Sequence, residues 1–227
     1  MYQNGRFFCC MRVFFHIHID SRHVFRIRIL TKIFLSITCS IIFLSCIFID
    51  WSVPYMPGIS QEKMIPYSYE EVMNIIENGD ILITFDSHFL NWRNGHAGIV
   101  VDATNGTVLE AKTLGINSSF ANIKRWSTYN SFAILRLTAV SYEERAKIAS
   151  FAQDRLVNVP YSLLPPYTSF PIAEDISLSG THCSHLIWLS FMQYGYDLDS
   201  DGGMIVTPRD IYNSEHLQKI VVYINTK

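Results

Sequence analysis

Residues 79–111 read GDILITFDSHFLNWRNGHAGIVVDATNGTVLEA, and this stretch decides the fold. "DILITF" is a short strand-forming run and "SHFLNWRNG" reads as a loop. "HAGIVVD", "TNG" and "TVLEA" then predict strand, turn and strand, a β-hairpin. The turn fixes where Glu110 stands relative to His96. A three-residue turn Thr104–Gly106, with Gly106 left-handed, pairs Val100 with Glu110. Glu110 then lies on the face of His96 but four positions along, roughly 13 Å at ~3.3 Å per residue. A two-residue Asn105-Gly106 turn puts it on the opposite face. A bulge or a wider loop is needed to bring it back.

Upstream, Ser68 and Glu71 form a capping box for a short helix from about Tyr69 to Asn78. Downstream of a polar stretch holding Trp126, "SFAILRL" is another strand. "SYEERAKIASFAQDRLV" is a helix capped by Ser141 and Glu144, with Ile148, Phe151, Ala152 and Leu156 on one face. "NVPYSLLPPYTSFPIAEDISLSG" is a proline-rich loop, long enough to suggest function or a lid. "HCSHLIWLSFMQYG" is a helix closed by Gly195, "TPRDIYNSE" opens a short helix behind Thr207 and Pro208, and "KIVVYI" is a last strand. A helix, a run of strands and then helices predict an α+β domain.

The chain has 227 residues and a formal net charge of −2, unevenly spread. Residues 1–50 hold six Lys/Arg against two acids, and residues 51–227 twelve against eighteen. The acidic body has no basic stripe to track phosphates, which excludes nucleic acid as a partner. In the head, Arg22, Arg26, Arg28 and Lys32 precede the uncharged apolar run Ile33 to Ile49, with Trp51 and Tyr55 beyond it. Positive charge on the N-terminal side keeps that side in the cytoplasm. The expected organisation is a basic cytoplasmic segment 1–32, a single-pass transmembrane signal anchor 33–49, a linker 50–66 and an extracytoplasmic domain 67–227. Secretion after signal cleavage is the alternative.

Cys9, Cys10, Cys39 and Cys46 lie in the head, which leaves Cys183 alone in the body. One cysteine makes no intramolecular disulfide. Gly180 and Thr181 precede its helix, so Cys183 falls in the first turn, where unpaired N–H groups and the helix dipole favour a thiolate and can hold an oxyanion. A thiol nucleophile needs a base. His182 and His185 are too near in sequence to face the thiol well. His96, opening a strand after Gly95 with Gly98 leaving room beside it, suits the role. The competing reading is a buried, inert cysteine.

Taken in order, GDILITF, GHAGIVVD, TVLEA, VPYS, HCSHLIW and VTPRDIY resemble the YiiX-type permuted papain-like amidases, relatives of the NlpC-type cell-wall peptidases. The likeness runs from about Gly79 to Tyr212. It implies a papain-like fold in circularly permuted order, a small antiparallel sheet packed on helices. It implies Cys183 as nucleophile, His96 as base and Glu110 as third polar residue, hydrolysing an amide through a thioester without a cofactor. The usual Cys-Ser-Glu after an aromatic residue is here Cys183-Ser184-His185 after His182, and the usual Tyr-Asp is Tyr161-Ser162. Such positions line the cleft in that family, so Tyr161, His182 and Ser184 are assigned to substrate or oxyanion binding. Packing is an equal reading for Tyr161.

An anchored enzyme facing the wall suggests peptidoglycan peptides as substrate. Acyl transfer or lipid-amide cleavage of the lecithin retinol acyltransferase-like type is the nearest alternative, with "YSLLPPYTSFPI" lining an acyl slot. A wall- or lipid-binding module that has lost activity is another. Zinc on His182, Cys183, His185 and a distant His96 or Glu110 does not match the usual zinc spacings. "DLDSDGG" follows the first half of a calcium loop, but Pro208 stands where a bidentate Glu belongs.

Overall fold

The computed structural model describes residues 30–38, 54–89, 92–166, 168–175 and 177–225. Residues 30–38 are helical, with Leu30, Ile33, Phe34, Leu35 and Ile37 exposed. The rest of the apolar run, 39–49, and the basic residues before 30 lie outside the described residues. Among the described residues no helix is long and apolar enough to cross a membrane.

The body is mixed α+β. Its strands are β1 (Ile65–Pro66), β2 (Ile81–Thr84), β3 (His88–Phe89), β4 (Trp92–Arg93), β5 (His96–Asp102), β6 (Thr107–Glu110), β7 (Ser119–Asn122), β8 (Ser131–Leu137) and β9 (Leu217–Ile224). Its helices are α1 (Tyr69–Ile75), α2 (Tyr142–Arg155), α3 (Cys183–Met192) and α4 (Pro208–Asn213). Seven strands form one sheet in the order β1-β9-β8-β2-β5-β6-β7, and β3 pairs with β4 separately. The pairing is antiparallel except for β1 with β9.

Strand alternation sorts the core into two layers. Ile81, Ile83, Ala97 and Ile99 bury one face against Ile148 and Ala152 of α2 and Leu186 and Ile187 of α3. Leu82, Val100, Phe132 and Ile134 bury the other against Val72, Ile123 and Trp126. Helices α2 and α3 both pack on β5 and on each other, so the hairpin strand is the hub of the domain.

Several expectations are corrected. Residues 54–66, expected as part of the extended linker 50–66, are built into the domain. Met56 and Met64 are buried, β1 pairs with the end of β9, and the Tyr212 hydroxyl donates to the Pro57 carbonyl at 3.0 Å. Helix α1 stops at Ile75, and Asn78 instead accepts the Ala103 N–H at 2.7 Å. The loop 87–95 carries the β3–β4 pair, and the polar stretch around Trp126 holds β7 and a 3-10 segment, Ile123–Thr128.

The hairpin register matches neither simple turn. Val100 pairs with Val108 and Asp102 with Thr107, leaving Val101 as an extra residue in a bulge. The Asp102 carboxylate accepts the Asn105 N–H at 3.1 Å and the Asn105 amide at 2.6 Å. That ties the turn into a wider loop, which closes at Gly106 with φ 64°, in the left-handed region. Because Ile99 pairs with Leu109, continuing the register sets Glu110 opposite Gly98. It lies two positions from His96 instead of four.

Candidate active site

Helix α3 begins at Cys183 because His182 caps it. His182 has extended backbone, φ −127° and ψ 176°, and its Nδ1 accepts the His185 N–H at 3.3 Å. The first intrahelical bond runs from Leu186 N–H to the His182 carbonyl at 2.8 Å. The N–H groups of Cys183 and Ser184 therefore have no intrahelical acceptor and lie at the positive end of the helix dipole. The proline-rich loop is tied to this end. Tyr161 bridges Thr181 in parallel, Thr181 N–H donates to Pro160 at 2.9 Å, and Ser162 N–H donates to Thr181 at 2.8 Å.

His96 opens β5 opposite Thr84 and hydrogen-bonds the Cys183 thiol. Its Nε2 lies 2.8 Å from Glu110 Oε2. With Nε2 held by the carboxylate, Nδ1 is the nitrogen left for sulfur. Arg125 Nη1 lies 2.5 Å from the other Glu110 oxygen. A chain of four polar groups thus runs from Arg125 through Glu110 and His96 to the sulfur. Cys183, His96 and Glu110 are all buried.

The Trp126 indole stacks on the imidazole with ring centroids 5.6 Å apart at 22°. Gly98 makes that possible, since a Cβ there would come within 3.1 Å of the indole and 2.7 Å of Val108. Tyr129 packs against both rings, its centroid 6.2 Å from the imidazole and 5.3 Å from the indole.

Burial opposes charge on both members of the dyad, and their mutual contact outweighs it. Burial raises the Cys183 thiol, but hydrogen bonding to His182 and His96 and their charge bring it down to about 5. Burial lowers His96, but the hydrogen bonds to Cys183 and Glu110 and the charges on both lift it to about 9. Between those values the pair rests as thiolate and imidazolium. Burial would also raise Glu110, yet its contacts with His96, Arg125 and Lys112 hold it below the ordinary carboxylate value. Burial and the nearby thiolate push Tyr161 up to about 12, so it remains a phenol.

Cys183, His96, Tyr161, His182 and Ser184 line one cavity of about 1000 Å³. Leu163, Leu164 and Ile205 supply apolar wall, and Lys112 and Arg209 supply charge. The Ser184 hydroxyl donates to the Val206 carbonyl at 2.8 Å. His185 is pushed down to about 3 by burial and by His182, so it is neutral, and its Nδ1 lies 3.1 Å from the Thr181 hydroxyl. The sequence reading that set both neighbouring histidines apart from the thiol is corrected for His182, whose ring lies beside the sulfur.

Among the described residues the grouping with metal-ligating potential is Asp199, Asp201 and Asp210, which does not include the thiol or any histidine. Asp210 is engaged as the capping-box partner of Thr207.

No family model matches the chain. The uncharacterized protein YycO of Bacillus subtilis strain 168 is 27% identical over 168 residues, which is 73% of this chain and 61% of YycO. The chain thus spans about three fifths of that relative. Among solved structures, the crystal structure of metalloprotein yiiX from Escherichia coli O157:H7 superposes with a TM-score of 0.48 at 14% identity. The superposition covers 64% of this chain and 96% of that one.

Arg125, Trp126 and Tyr129 escaped the sequence reading. They sit in and just after the 3-10 segment capped by Asn122, whose side chain accepts the Lys124 N–H at 3.0 Å. No motif marks that segment. Only the pairing of β6 with β7 carries it beside Glu110.

Proposed function

We propose that this protein is a cysteine hydrolase that cleaves an amide bond through a thioester, on a papain-like fold in permuted order. The observation that carries the reading is the hydrogen-bonded chain Cys183–His96–Glu110 at the first turn of a buried helix, opening on a cavity. The thiolate attacks the amide carbonyl and a C–S bond forms. The imidazolium of His96 gives its proton to the leaving nitrogen as the C–N bond breaks. Water then attacks the thioester, His96 takes its proton, and a carboxylic acid and the thiolate are released. Glu110 holds the imidazole in orientation and stabilises its charge, and Arg125 steadies Glu110. The Cys183 N–H, at the first turn of the helix, is the backbone donor of this reading to the oxyanion.

The basic head and the apolar run favour attachment to a membrane with the body outside, and a wall peptide as substrate. The exposed apolar side chains Leu163, Leu164 and Ile205 on the cavity wall favour a second reading, transfer or hydrolysis of a lipid acyl group. Turnover of a peptidoglycan stem peptide against that of a long-chain acyl amide separates the two.

The test of the common step is labelling of the full chain by iodoacetamide near neutral pH. Rapid alkylation at Cys183, lost in His96→Ala, is the expected result. Alkylation no faster than that of a free thiol, and unchanged by the substitution, overturns the enzyme reading.

A further inference from the structure

We infer that His182 is the side-chain donor of the oxyanion hole, an assignment that rests on the acyl-transfer chemistry proposed above. The helix cap fixes its tautomer. Nδ1 accepts the His185 N–H at 3.3 Å, and a backbone N–H can only donate. The Ser184 hydroxyl, also 3.3 Å from Nδ1, gives its single proton to the Val206 carbonyl at 2.8 Å and makes no competing demand on the nitrogen's lone pair. In the neutral ring the proton therefore sits on Nε2.

That Nε2 is buried and makes no hydrogen bond of good geometry, and the ring lies beside the sulfur. His182 as a whole is 6% exposed, and it lines the same cavity as Cys183. In the resting protein the thiolate is the acceptor beside it, and acylation of the sulfur removes that negative charge and leaves the donor to a new one. The group that arrives beside the sulfur during acyl transfer is the carbonyl oxygen of the substrate, which becomes an anion as the C–S bond forms. The assignment makes the Cys183 N–H at the helix start and the Nε2–H of the cap residue its two donors. One residue thus closes the helix with one nitrogen and presents a donor with the other. The donor is held in place by the cap bond and by the His185 ring, which packs against it at a tilt of 45° with centroids 5.5 Å apart.

The experiment compares two reactions of the same thiol in the full chain. Alkylation by iodoacetamide forms no oxyanion. Acylation by p-nitrophenyl acetate does, and is read as a burst of nitrophenolate. Both are measured at about pH 8, where a thiol of depressed pKa is ionised. His182→Ser keeps a capping hydroxyl but has no donor that reaches the cavity. The expected result is a burst slowed by about 10²–10³-fold more than alkylation is. His182→Asn, which also caps, repeats the test should the serine variant fold poorly.

A burst as fast as that of the unaltered protein overturns the assignment. A parallel loss of alkylation and burst in both variants also overturns it, because His182 would then act on the thiol or the fold. An unaltered protein that alkylates rapidly but gives no burst overturns the acyl-transfer reading itself.

Discussion

The β2–β5 ladder carries a buried ionic network at each end. Before β2, Asp80 accepts Arg136 Nε on one oxygen and Arg136 Nη2 on the other, each at 2.7 Å, and also the Glu77 N–H at 2.8 Å. Glu77 takes Arg136 on one oxygen and Arg145 on the other. Every carboxylate oxygen there meets an arginine, so the network is closed. At the far end, where Thr84 pairs with His96, Arg125, Glu110, His96 and Cys183 form a chain rather than a ring. Its last member faces a cavity, where the His96 and His182 rings hold the thiolate. A closed network spends its charge on positioning strands and helices. An open one leaves a reactive terminus.

The two ends fail in different ways. The largest effect belongs to the open end. Cys183→Ala abolishes acyl transfer, a loss on the order of 10⁴-fold or more, with little change in thermal midpoint. Retained turnover would place the nucleophile elsewhere.

Next comes the closed end. Arg136→Met leaves Asp80 buried and without its arginine, and is expected to cost about 3–5 kcal/mol in urea unfolding. The alkylation rate of Cys183 in the folded fraction should stay within about 2-fold, since the networks share no residue. A chemical defect without a stability defect would reverse the roles assigned to the two ends.

Glu110→Gln tests how the open chain is tuned. Hydrolysis should rise with pH as Cys183 ionises near 5 and fall as the His96 imidazolium, needed to protonate the leaving nitrogen, loses its proton near 9. Removing the Glu110 charge destabilises the imidazolium and moves the upper limb toward lower pH by about one unit, equivalent to ~1.4 kcal/mol. The lower limb should rise slightly, because a weaker imidazolium stabilises the thiolate less. An upper limb that stays in place would reduce Glu110 to a packing role. The smallest effect is expected at Arg125→Met. Its side chain is 32% exposed, so the loss should be below about 1 kcal/mol in the same profile.

Legibility followed locality. Ser141 and Thr207 cap helices where their spacing predicts, with Ser141 accepting the Glu144 N–H at 3.3 Å and Thr207 closing a capping box with Asp210. Cys183 stands at a helix start and His96 at a strand start, because both follow from runs of neighbouring residues. Glu110 was harder. Its place depends on whether the hairpin holds one residue more or fewer, and the Asp102–Asn105 contacts that decide it are side-chain choices inside the turn. Arg125 was invisible, since an arginine in a polar stretch is ordinary until β7 folds back along β6. The segment 54–66 misled because its prolines and glycine break local structure but do not prevent β1 from adding to the sheet edge.

By itself the sequence determined the inventory and its local setting: an α+β body, a hairpin opened by His96, a lone body thiol at a helix N-terminus. Periodicity, capping and turn chemistry act over a few residues, so they are written in contiguous text. Only the tertiary structure decided which groups meet. A bulge at Val101 moved Glu110 to within 2.8 Å of His96, the chain's return brought Arg125 to Glu110, and a helix cap set the His182 ring beside the sulfur. Contacts at 2.5 to 3 Å are set by register and packing, and a one-residue change in register turns a side chain to the other face of the sheet.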